Sequence, residues 1–403
     1  MALTGSADRE PLGPPAPLID GLLALGGALA TGSAVIGMRV EVDPVALLGE
    51  RAALLDLTRH GAISCGGSTR LLDAADGVVA LTLARDEDIE LVPAWLELAG
   101  ALRGDPWPLV ADVVSTRDVA WLVDRSSLLG LAVAGLGSVA ARRSDGGARA
   151  EAATPWPIEQ SWIRAGRPHV DVEELLVVDL SALWAGPLCG QLLAAAGARV
   201  VKVESTSRPD GARSGPRAFF DLLNADKQSV VLDFRERRGR DLLRRLLGAA
   251  DVVIEASRPR ALEQLGIRAR DLLAADDGPS VWVSITGYGR TGPGADRIAY
   301  GDVAAVAGGL VAGDDRGPCF CADAVADPLT GLVAAVGALG ALASGDVWLL
   351  DVAMGEVAAH WTGPSLPTGG ATYDIAAPRA RSPQRRAPRL GHDTDVVLAS
   401  VLG

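Results

Sequence analysis

The sequence predicts an α/β protein with a parallel-sheet, Rossmann-like large domain and a smaller α+β domain. Three observations predict this fold. From residue 174 onward, short β-branched apolar runs alternate with helical stretches, a pattern typical of a parallel sheet with βαβ crossovers. Before residue 137, a two-strand pattern is followed by helical patterns. Between these parts, residues 137–158 are small, charged and proline-bearing, which indicates a linker.

The first part of the chain divides into an N-terminal helical segment (1–60) and the small α+β domain with its linker (61–158). The proline- and glycine-rich start, residues 1–17, is expected to be frayed. The predicted elements are two helical stretches within 20–59, two strands within 69–84 around a turn at Asp76-Gly77, helices at 87–101 and 106–128, and a short apolar segment at 128–136.

The remaining residues, 159–403, are predicted as the Rossmann-like domain that binds the ligand and carries the chemistry. Its predicted strands are LLVVDL (175–180), RVVKVE (199–204), SVVLDF (229–234), DVVIEA (251–256), SVWVSITG (280–287) and WLLDV (348–352). Its predicted helices lie at 187–197, 236–248, 302–312 and 328–343, with a last one at the C-terminus. An Arg/Pro run at 378–389 is predicted as a solvated linker.

Composition excludes several classes of function. The formal net charge of −12 argues against a nucleic-acid partner, which would need a basic face. Four cysteines without a CxxC pair and only four histidines make a zinc site unexpected, and no metal is predicted. The stretch 21–38 is barely long enough to span a membrane, so we expect a buried or interface helix. No signal peptide is recognisable at the start, and a cytoplasmic protein without disulfides is predicted.

The chain has only two lysines, Lys202 and Lys227, against many arginines. A lysine kept in such a composition can serve as a compact point charge toward phosphates or carboxylates, although chance explains two lysines equally well. Lys202 lies in the middle of a predicted strand, where pairing with a carboxylate is expected. Nearby, Ala185-Gly186-Pro187 forms a predicted strand-to-helix turn, whose free N–H groups suit an anionic ligand at the carboxyl edge of the sheet.

Five motifs follow one another in the second half of the chain: DLSALWAGPLCGQLLAAAGARVVKVES, PDGARSG, NADKQSVVLDF, DVVIEASRPRALEQLGI and SITGYGRTGP. In this order and at about this spacing they resemble the family III coenzyme A transferases, the group of formyl-CoA transferase and carnitine CoA-transferase. The resemblance is dense over 174–360, and the ending APRLGHDTDVVLASVLG is also similar to that family. It implies an acyl-CoA and a carboxylic acid as small-molecule substrates, and no permanently bound cofactor.

The resemblance also implies a mechanism. An aspartate carboxylate attacks the donor thioester, gives a mixed anhydride and frees CoA thiolate, which then recaptures an activated carboxyl. The matching position is Asp327, in CADAVADPLTGLVAAVGAL, with Asp323 as the nearest rival. The alternative is that Asp327 only caps the helix beginning at Pro328, and both can hold.

The resemblance also implies contacts to CoA, at positions where this chain keeps some of the family's residues and changes others. The residues predicted to bind CoA are Leu183, Trp184, Ala185, Ser205, Asn224, Lys227, Ser257, Arg258 and Arg260. Ala256-Ser257 replaces the usual Asn-Phe pair, and Ser205 and Gln264 stand where some members have arginines. Arg208, Arg258 and Arg260 could substitute for those arginines. Asn224 and Lys227 could instead hold the loop before the strand SVVLDF.

Two other functions remain open. The family's close cousins, the α-methylacyl-CoA racemases, have a His-Asp pair where this chain has Tyr300, and tyrosine is a poor proton shuttle near neutral pH. A non-catalytic CoA-binding relative is the third possibility.

The order of the domains also differs from the family pattern. STRLLDAADGVVALTLARDEDIELVPAWLELAG resembles the family's small domain, placed here in front of the large one, whereas 361–390 has no room for it. Family members form interlinked homodimers, so the resemblance implies a homodimer, and the changed order leaves the interlinking and the activity open.

Overall fold

A computed structural model describes residues 2–100, 102–144, 156–166, 175–364, 366 and 375–403. Its main sheet has seven strands in the order β4-β12-β9-β8-β5-β6-β7, and all neighbours are parallel except β4 and β12. The strands are β4 (Glu159–Arg164), β5 (Leu176–Asp179), β6 (Arg199–Ser205), β7 (Gln228–Leu232), β8 (Val252–Glu255), β9 (Val281–Thr286) and β12 (Val347–Ala353). The predicted α/β fold with a parallel sheet is confirmed.

Helices cover both faces of this sheet, because its strands are apolar on both sides. One face packs against α1 (Ala16–Ile36), α7 (Ala185–Ala195) and α13 (Ala326–Ser344), and the other against α9 (Arg237–Gly248), α11 (Ala269–Ala274) and α15 (Thr394–Leu402). The other helices around the sheet are α8 (Arg217–Asn224), α10 (Pro259–Gln264), α12 (Gly301–Gly308) and α14 (Met354–His360).

The small α+β unit has a three-stranded antiparallel sheet in the order β1-β2-β3. It contains β1 (Thr69–Ala74), β2 (Gly77–Thr82), α3 (Asp86–Leu96), α4 (Trp107–Val114), α5 (Val119–Leu129) and β3 (Ala132–Gly135). Ala75 and Asp76 form the turn between β1 and β2, one residue earlier than the predicted turn at Asp76-Gly77, because Gly77 already pairs with Ala74. Successive residues of these strands point to opposite faces of the small sheet and so pack in two different cores. Leu72, Leu81 and Val133 pack under the small unit's own helices, whereas Leu71, Ala80 and Ala134 pack against α12.

The N-terminal segment is part of the large core. Leu18, Leu22, Leu25 and Leu29 line one face of α1 and pack in the same core as α13. By length and composition alone, α1 and α13 could each cross a membrane, but most of the apolar stretch of α13 is buried inside the fold. The short helix α2 (Glu50–Leu55) follows a 3₁₀ turn, Ala46–Gly49.

Several sequence predictions are wrong in detail. Residues 138–144 of the predicted linker form α6 (Ser138–Ser144), which buries Val139 against Tyr288, while 145–155 lie outside the described residues. The start of the chain is not frayed throughout, because Leu3 and Thr4 are buried. The helix expected at 302–312 ends at Gly308, and β10 (Val311–Asp314) and β11 (Gly317–Phe320) form a hairpin after it. The strand β4 was not expected, because its short, mostly polar sequence carries no strand pattern.

The Arg/Pro run at 378–389 is largely exposed, as expected of a solvated linker, but several of its residues are hydrogen-bonded to the rest of the fold, and we call this run the strap. Arg381 binds Glu50 of α2 and Gln191 of α7, Arg385 binds the carbonyl of Ala225, and the N–H of Ala387 donates to Asp221 of α8. Buried carboxylate and carbonyl oxygens need hydrogen-bond donors, and this proline-rich segment supplies them although it has no helix or strand of its own.

Candidate active site

Asp327 lies in the first turn of α13 and is half-buried. Its Oδ2 accepts a hydrogen bond of 3.1 Å from the N–H of Gly301, the first residue of α12. A side chain at position 301 would collide with that same carboxylate oxygen, so glycine permits the close approach of the two helix starts. Burial raises the pKa of Asp327 to about 7, Arg51 opposes the rise, and Asp302 adds to it.

Two more carboxylates lie beside Asp327. Asp302 of α12 is buried and accepts a hydrogen bond of 3.1 Å from the N–H of Ala324, and burial followed by the charge of Asp323 raises its pKa to about 6. Asp323 is fully buried, and both of its oxygens are bound by the guanidinium of Arg51, with Nε at 2.9 Å. Asp323 therefore has no free oxygen edge to offer a substrate, and the geometry favours Asp327 over this rival.

The loop that carries Asp323 is strained. Ala322 and Ala324 have φ angles of 55° and 44°, in the left-handed region that alanine rarely adopts. The N-terminal part of the chain holds the loop, because the N–H of Ala322 donates to Thr4 Oγ1 at 3.2 Å and its carbonyl accepts from Cys65 Sγ at 3.5 Å. Such strain persists only where surrounding contacts over-determine the conformation, and it often accompanies function.

The strand-to-helix turn after β5 forms the other side of the candidate site. Leu183 has a left-handed φ of 69°, its side chain is 43% exposed, and its N–H donates to Asp210 Oδ1 at 3.0 Å. Trp184 is buried edge-to-face against Phe219, and the Arg51 guanidinium lies 5.3 Å from the centre of its ring. Arg51 thus connects this turn to the loop before Asp327. The indole N–H of Trp184 has no hydrogen-bond partner among the described residues.

Both lysines are buried in ion pairs. Lys227 Nζ donates at 2.8 Å to Asp179 Oδ2 and to the carbonyl of Pro187, at the start of α7. Lys202 Nζ lies 2.8 Å from Asp210 Oδ2 and donates to the carbonyl of Ser181, as expected of a lysine that pairs with a carboxylate. This placement favours the structural alternative for Lys227, which holds the turn from beneath rather than facing a ligand.

The remaining predicted CoA contacts follow strands that end at one edge of the sheet. Ser205 ends β6, and Ser257, Arg258 and Arg260 come directly after β8, while the turn at 183–185 follows β5, which lies between those two strands. Ligands of open parallel sheets bind at this edge. The side chain of Arg260 is exposed and pairs with Asp296 at 3.3 Å.

Asn224 lies away from this edge, at the end of α8. It is buried, its Nδ2 donates to the carbonyl of Phe220 at 3.1 Å, and its Oδ1 has no partner within the part of the chain that the structure describes.

Sequence reasoning missed Arg51 and Asp302. Arg51 is 272 residues away from its partner Asp323, and nothing in a short helical stretch marks one arginine among many. Asp302 follows Tyr300 by two residues, and that neighbourhood was the only available signal. Across the described ranges, no group of three or more His, Cys, Asp or Glu residues is arranged to hold a metal ion.

Comparison with known proteins identifies the family. A model described as CoA-transferase family III matches residues 172–394, more than half of the chain. Succinyl-CoA--D-citramalate CoA-transferase of Chloroflexus aurantiacus is 34% identical over 204 residues, which are 47% of this chain and 50% of that protein. The mouse (Mus musculus) succinyl-CoA:glutarate CoA-transferase is 32% identical over 187 residues, 42% of each chain.

Among solved structures, that of a CAIB/BAIF family protein from Brucella suis is 35% identical, with a TM-score of 0.43 over 48% of this chain and 55% of that one. The chain spans about half the length of the curated relatives it matches. The family model, which covers most of the predicted Rossmann-like domain from before β5 into α15, shows that this chain belongs to CoA-transferase family III.

Proposed function

We propose that this protein moves coenzyme A between an acyl-CoA thioester and a carboxylic acid, with Asp327 as the nucleophile. The observation that carries the proposal is the half-buried Asp327 carboxylate at the head of α13, beside the turn that follows β5 in the region matched by the family model. A carboxylate is a weak nucleophile in water, and partial burial together with fixed geometry makes it competent against a bound thioester.

The reaction is a series of acyl exchanges. An oxygen of Asp327 attacks the thioester carbon of the donor, and the carbon–sulfur bond breaks. CoA leaves as the thiolate, and an acyl-aspartyl anhydride remains on the protein. The thiolate attacks the aspartyl carbonyl, which gives an aspartyl-CoA thioester and releases the donor acid. The acceptor carboxylate then attacks the aspartyl-CoA thioester, which gives a second mixed anhydride and frees CoA thiolate again. The thiolate attacks the acceptor carbonyl, so that the acceptor leaves as its CoA thioester and the Asp327 carboxylate is regenerated. No proton is lost or gained overall.

The chain's own residues would support these steps in distinct ways. The N–H of Gly301 holds one oxygen of Asp327 and leaves the other to attack. Leu183, Trp184, Ala185 and Ser205 would receive CoA at the carboxyl edge of the sheet. The buried indole N–H of Trp184, which has no partner among the described residues, could donate a hydrogen bond to it. Ser257, Arg258 and Arg260 would lie toward the phosphates, where arginine suits bidentate binding. We leave Lys227 out of this set because its buried ammonium already donates to Asp179 and to the carbonyl of Pro187.

Trapping the covalent intermediate tests this function. The matched relatives act on succinyl-CoA with D-citramalate or glutarate, so succinyl-CoA is the first donor to use, with a panel of short dicarboxylic acids as acceptors. Hydroxylamine should convert Asp327 to its hydroxamate only when the donor is present, as read by mass spectrometry of the peptide. Solvent deuterium at the α-carbon of an acyl-CoA would indicate a racemase instead, and CoA binding without any exchange would indicate a non-catalytic relative.

The proposal includes a cytoplasmic homodimer. Exposed apolar side chains on and just after α1 support association: Leu23 and Val35 of the helix are 59% and 70% exposed, and Met38, two residues beyond its end, is 58% exposed. Light scattering of the purified chain measures its oligomeric state. A monomer at micromolar concentration would contradict the dimer but would leave the proposed reaction unaffected.

A further inference from the structure

Two adjacent residues of α2 are held by opposite charges from distant parts of the chain. Glu50 is buried, and its carboxylate accepts hydrogen bonds from Arg381 of the strap, from Nε at 2.6 Å and from Nη2 at 2.9 Å. Arg51 reaches the other way and binds both oxygens of Asp323. The short helix is therefore fixed between the strap and the loop that leads into α13.

The Arg51 side chain has little freedom where it lies. Its guanidinium is 5.3 Å from the centre of the Trp184 ring, and a β-carbon added at Gly66 would lie 3.2 Å from its Nη2. A planar guanidinium can bind a carboxylate through two parallel hydrogen bonds while one face lies on an aromatic ring, whereas lysine supplies only a point charge.

From Asp323, the contacts continue through the loop to the candidate nucleophile. The N–H of Ala324, the next residue, donates to Asp302, and its carbonyl accepts a 2.8 Å hydrogen bond from the N–H of Asp327. The strained loop between Arg51 and Asp327 thus sets where α13 begins. The titratable and charged groups that face Asp327 are Arg51 from α2, Asp302 and Tyr300 at the start of α12, and Asp323 from the loop.

We infer that Arg51 is a positioning residue for CoA transfer: it anchors Asp323 so that the loop presents Asp327, and its guanidinium supplies positive charge to this group of three carboxylates. This inference rests on the proposed function. It gives residues outside the family match a part in the reaction, since α2 belongs to the N-terminal segment.

The experiment separates the charge of Arg51 from its geometry. Rates of succinyl-CoA-dependent transfer are measured between pH 5 and pH 9 for the wild type, Arg51→Lys and Arg51→Gln. In Arg51→Gln, loss of the positive charge should move the acidic limb of the profile to higher pH by about one unit, and loss of position should lower the plateau by about 10²-fold. Arg51→Lys should keep the limb near its wild-type pH and recover only part of the plateau.

Arg59→Gln is the matched control. Arg59 is also a half-buried arginine of the N-terminal segment, but it binds the backbone carbonyls of Ala2, Ser6 and Arg9. The Arg59→Gln substitution should leave the acidic limb of the pH–rate profile at its wild-type pH, because Arg59 anchors the N-terminal segment without facing Asp327. If Arg51→Gln does not fold, Arg51→Gln with Asp323→Asn removes the unpaired buried carboxylate. The limb should then move in the same direction but less far, because Arg51 lowers the pKa of Asp327 more than Asp323 raises it.

The outcomes distinguish the two proposals. An inactive wild type with every acid in the panel overturns the proposed function. An active wild type whose limb stays at the same pH in Arg51→Gln and in the double variant overturns the positioning role alone. An equal shift in Arg59→Gln also overturns it, because the effect would then belong to docking of the whole N-terminal segment.

Discussion

Two clusters of charge lie near the turn after β5, and they are balanced differently. Beneath the turn after β5, Lys227 pairs with Asp179 and Lys202 pairs with Asp210, each at 2.8 Å. At the head of α13, Asp302, Asp323 and Asp327 share the nearby charge of Arg51.

The difference teaches which cluster is structural and which is poised for chemistry. Burial acts to raise the pKa of Asp179, but Lys227 and then Lys202 outweigh it and hold that pKa below its ordinary value. With three carboxylates around one guanidinium, burial and like charge instead raise the pKa of Asp327 to about 7. Perturbed carboxyl groups of the second kind are typical of functional sites.

The largest expected effect is on activity. Asp327→Asn keeps the shape of the side chain but removes the nucleophile, so kcat for CoA transfer should fall on the order of 10⁴-fold or more. Asp241→Asn, a change of the same kind in an exposed pair with Arg237, should leave kcat near the wild-type value. If kcat of Asp327→Asn stays within tenfold of the wild-type value, the nucleophile is another residue, and the cluster at the head of α13 is not the catalytic one.

The balanced cluster should respond in stability. Lys227→Met leaves Asp179 buried without its cation, and we expect a loss of about 3–5 kcal/mol in the free energy of unfolding. Denaturant titration followed by circular dichroism measures it. Adding Asp179→Asn should recover much of the loss, because the pair then carries no buried charge. A loss below about 1 kcal/mol in the single variant would mean that water reaches Asp179.

The strap offers a smaller and internally matched test. Arg381→Ala removes the partner of buried Glu50 and should cost about 2–3 kcal/mol of unfolding free energy. Arg379→Ala, two residues away, breaks an exposed pair with Asp43 and should cost less than about 1 kcal/mol. Equal effects of the two substitutions in thermal melts would contradict a strap that is held to the fold through buried Glu50.

The smallest expected effect is a pH-dependent one. Asp302 and Asp327 have folded pKa values of about 6 and about 7, above the ordinary value of 3.8. Stability from such groups is complete below the unfolded pKa and is lost as pH rises through the folded pKa. Asp302→Asn cannot ionise, so its stability relative to the wild type should grow from pH 5 to pH 8, by on the order of 1–2 kcal/mol.

Melting curves at the two pH values measure this difference, with exposed Asp277→Asn as the control for loss of one negative charge. If the difference in stability between Asp302→Asn and the wild type does not change with pH, the pKa of Asp302 is not raised in the folded protein. Asp302 would then no longer count among the perturbed carboxyl groups around Asp327.

The large domain was predictable because its signals are local. Runs such as LLVVDL and DVVIEA became the parallel strands β5 and β8, and CADAVADPLTG placed Asp327 at a helix start, as the structure has it. The edge strand β4 and the hairpin after α12 were missed, since their short, polar or glycine-containing sequences have no periodicity to detect.

By itself, the sequence determined the fold class, the family and the candidate nucleophile, because each depends on residues that are neighbours along the chain. Only the tertiary structure decided which charges meet: Arg51 with Asp323 across 272 residues, and Glu50 with Arg381 across 331. The pKa of a buried carboxyl depends on such contacts and on exclusion of water, and neither can be read from the residues beside it.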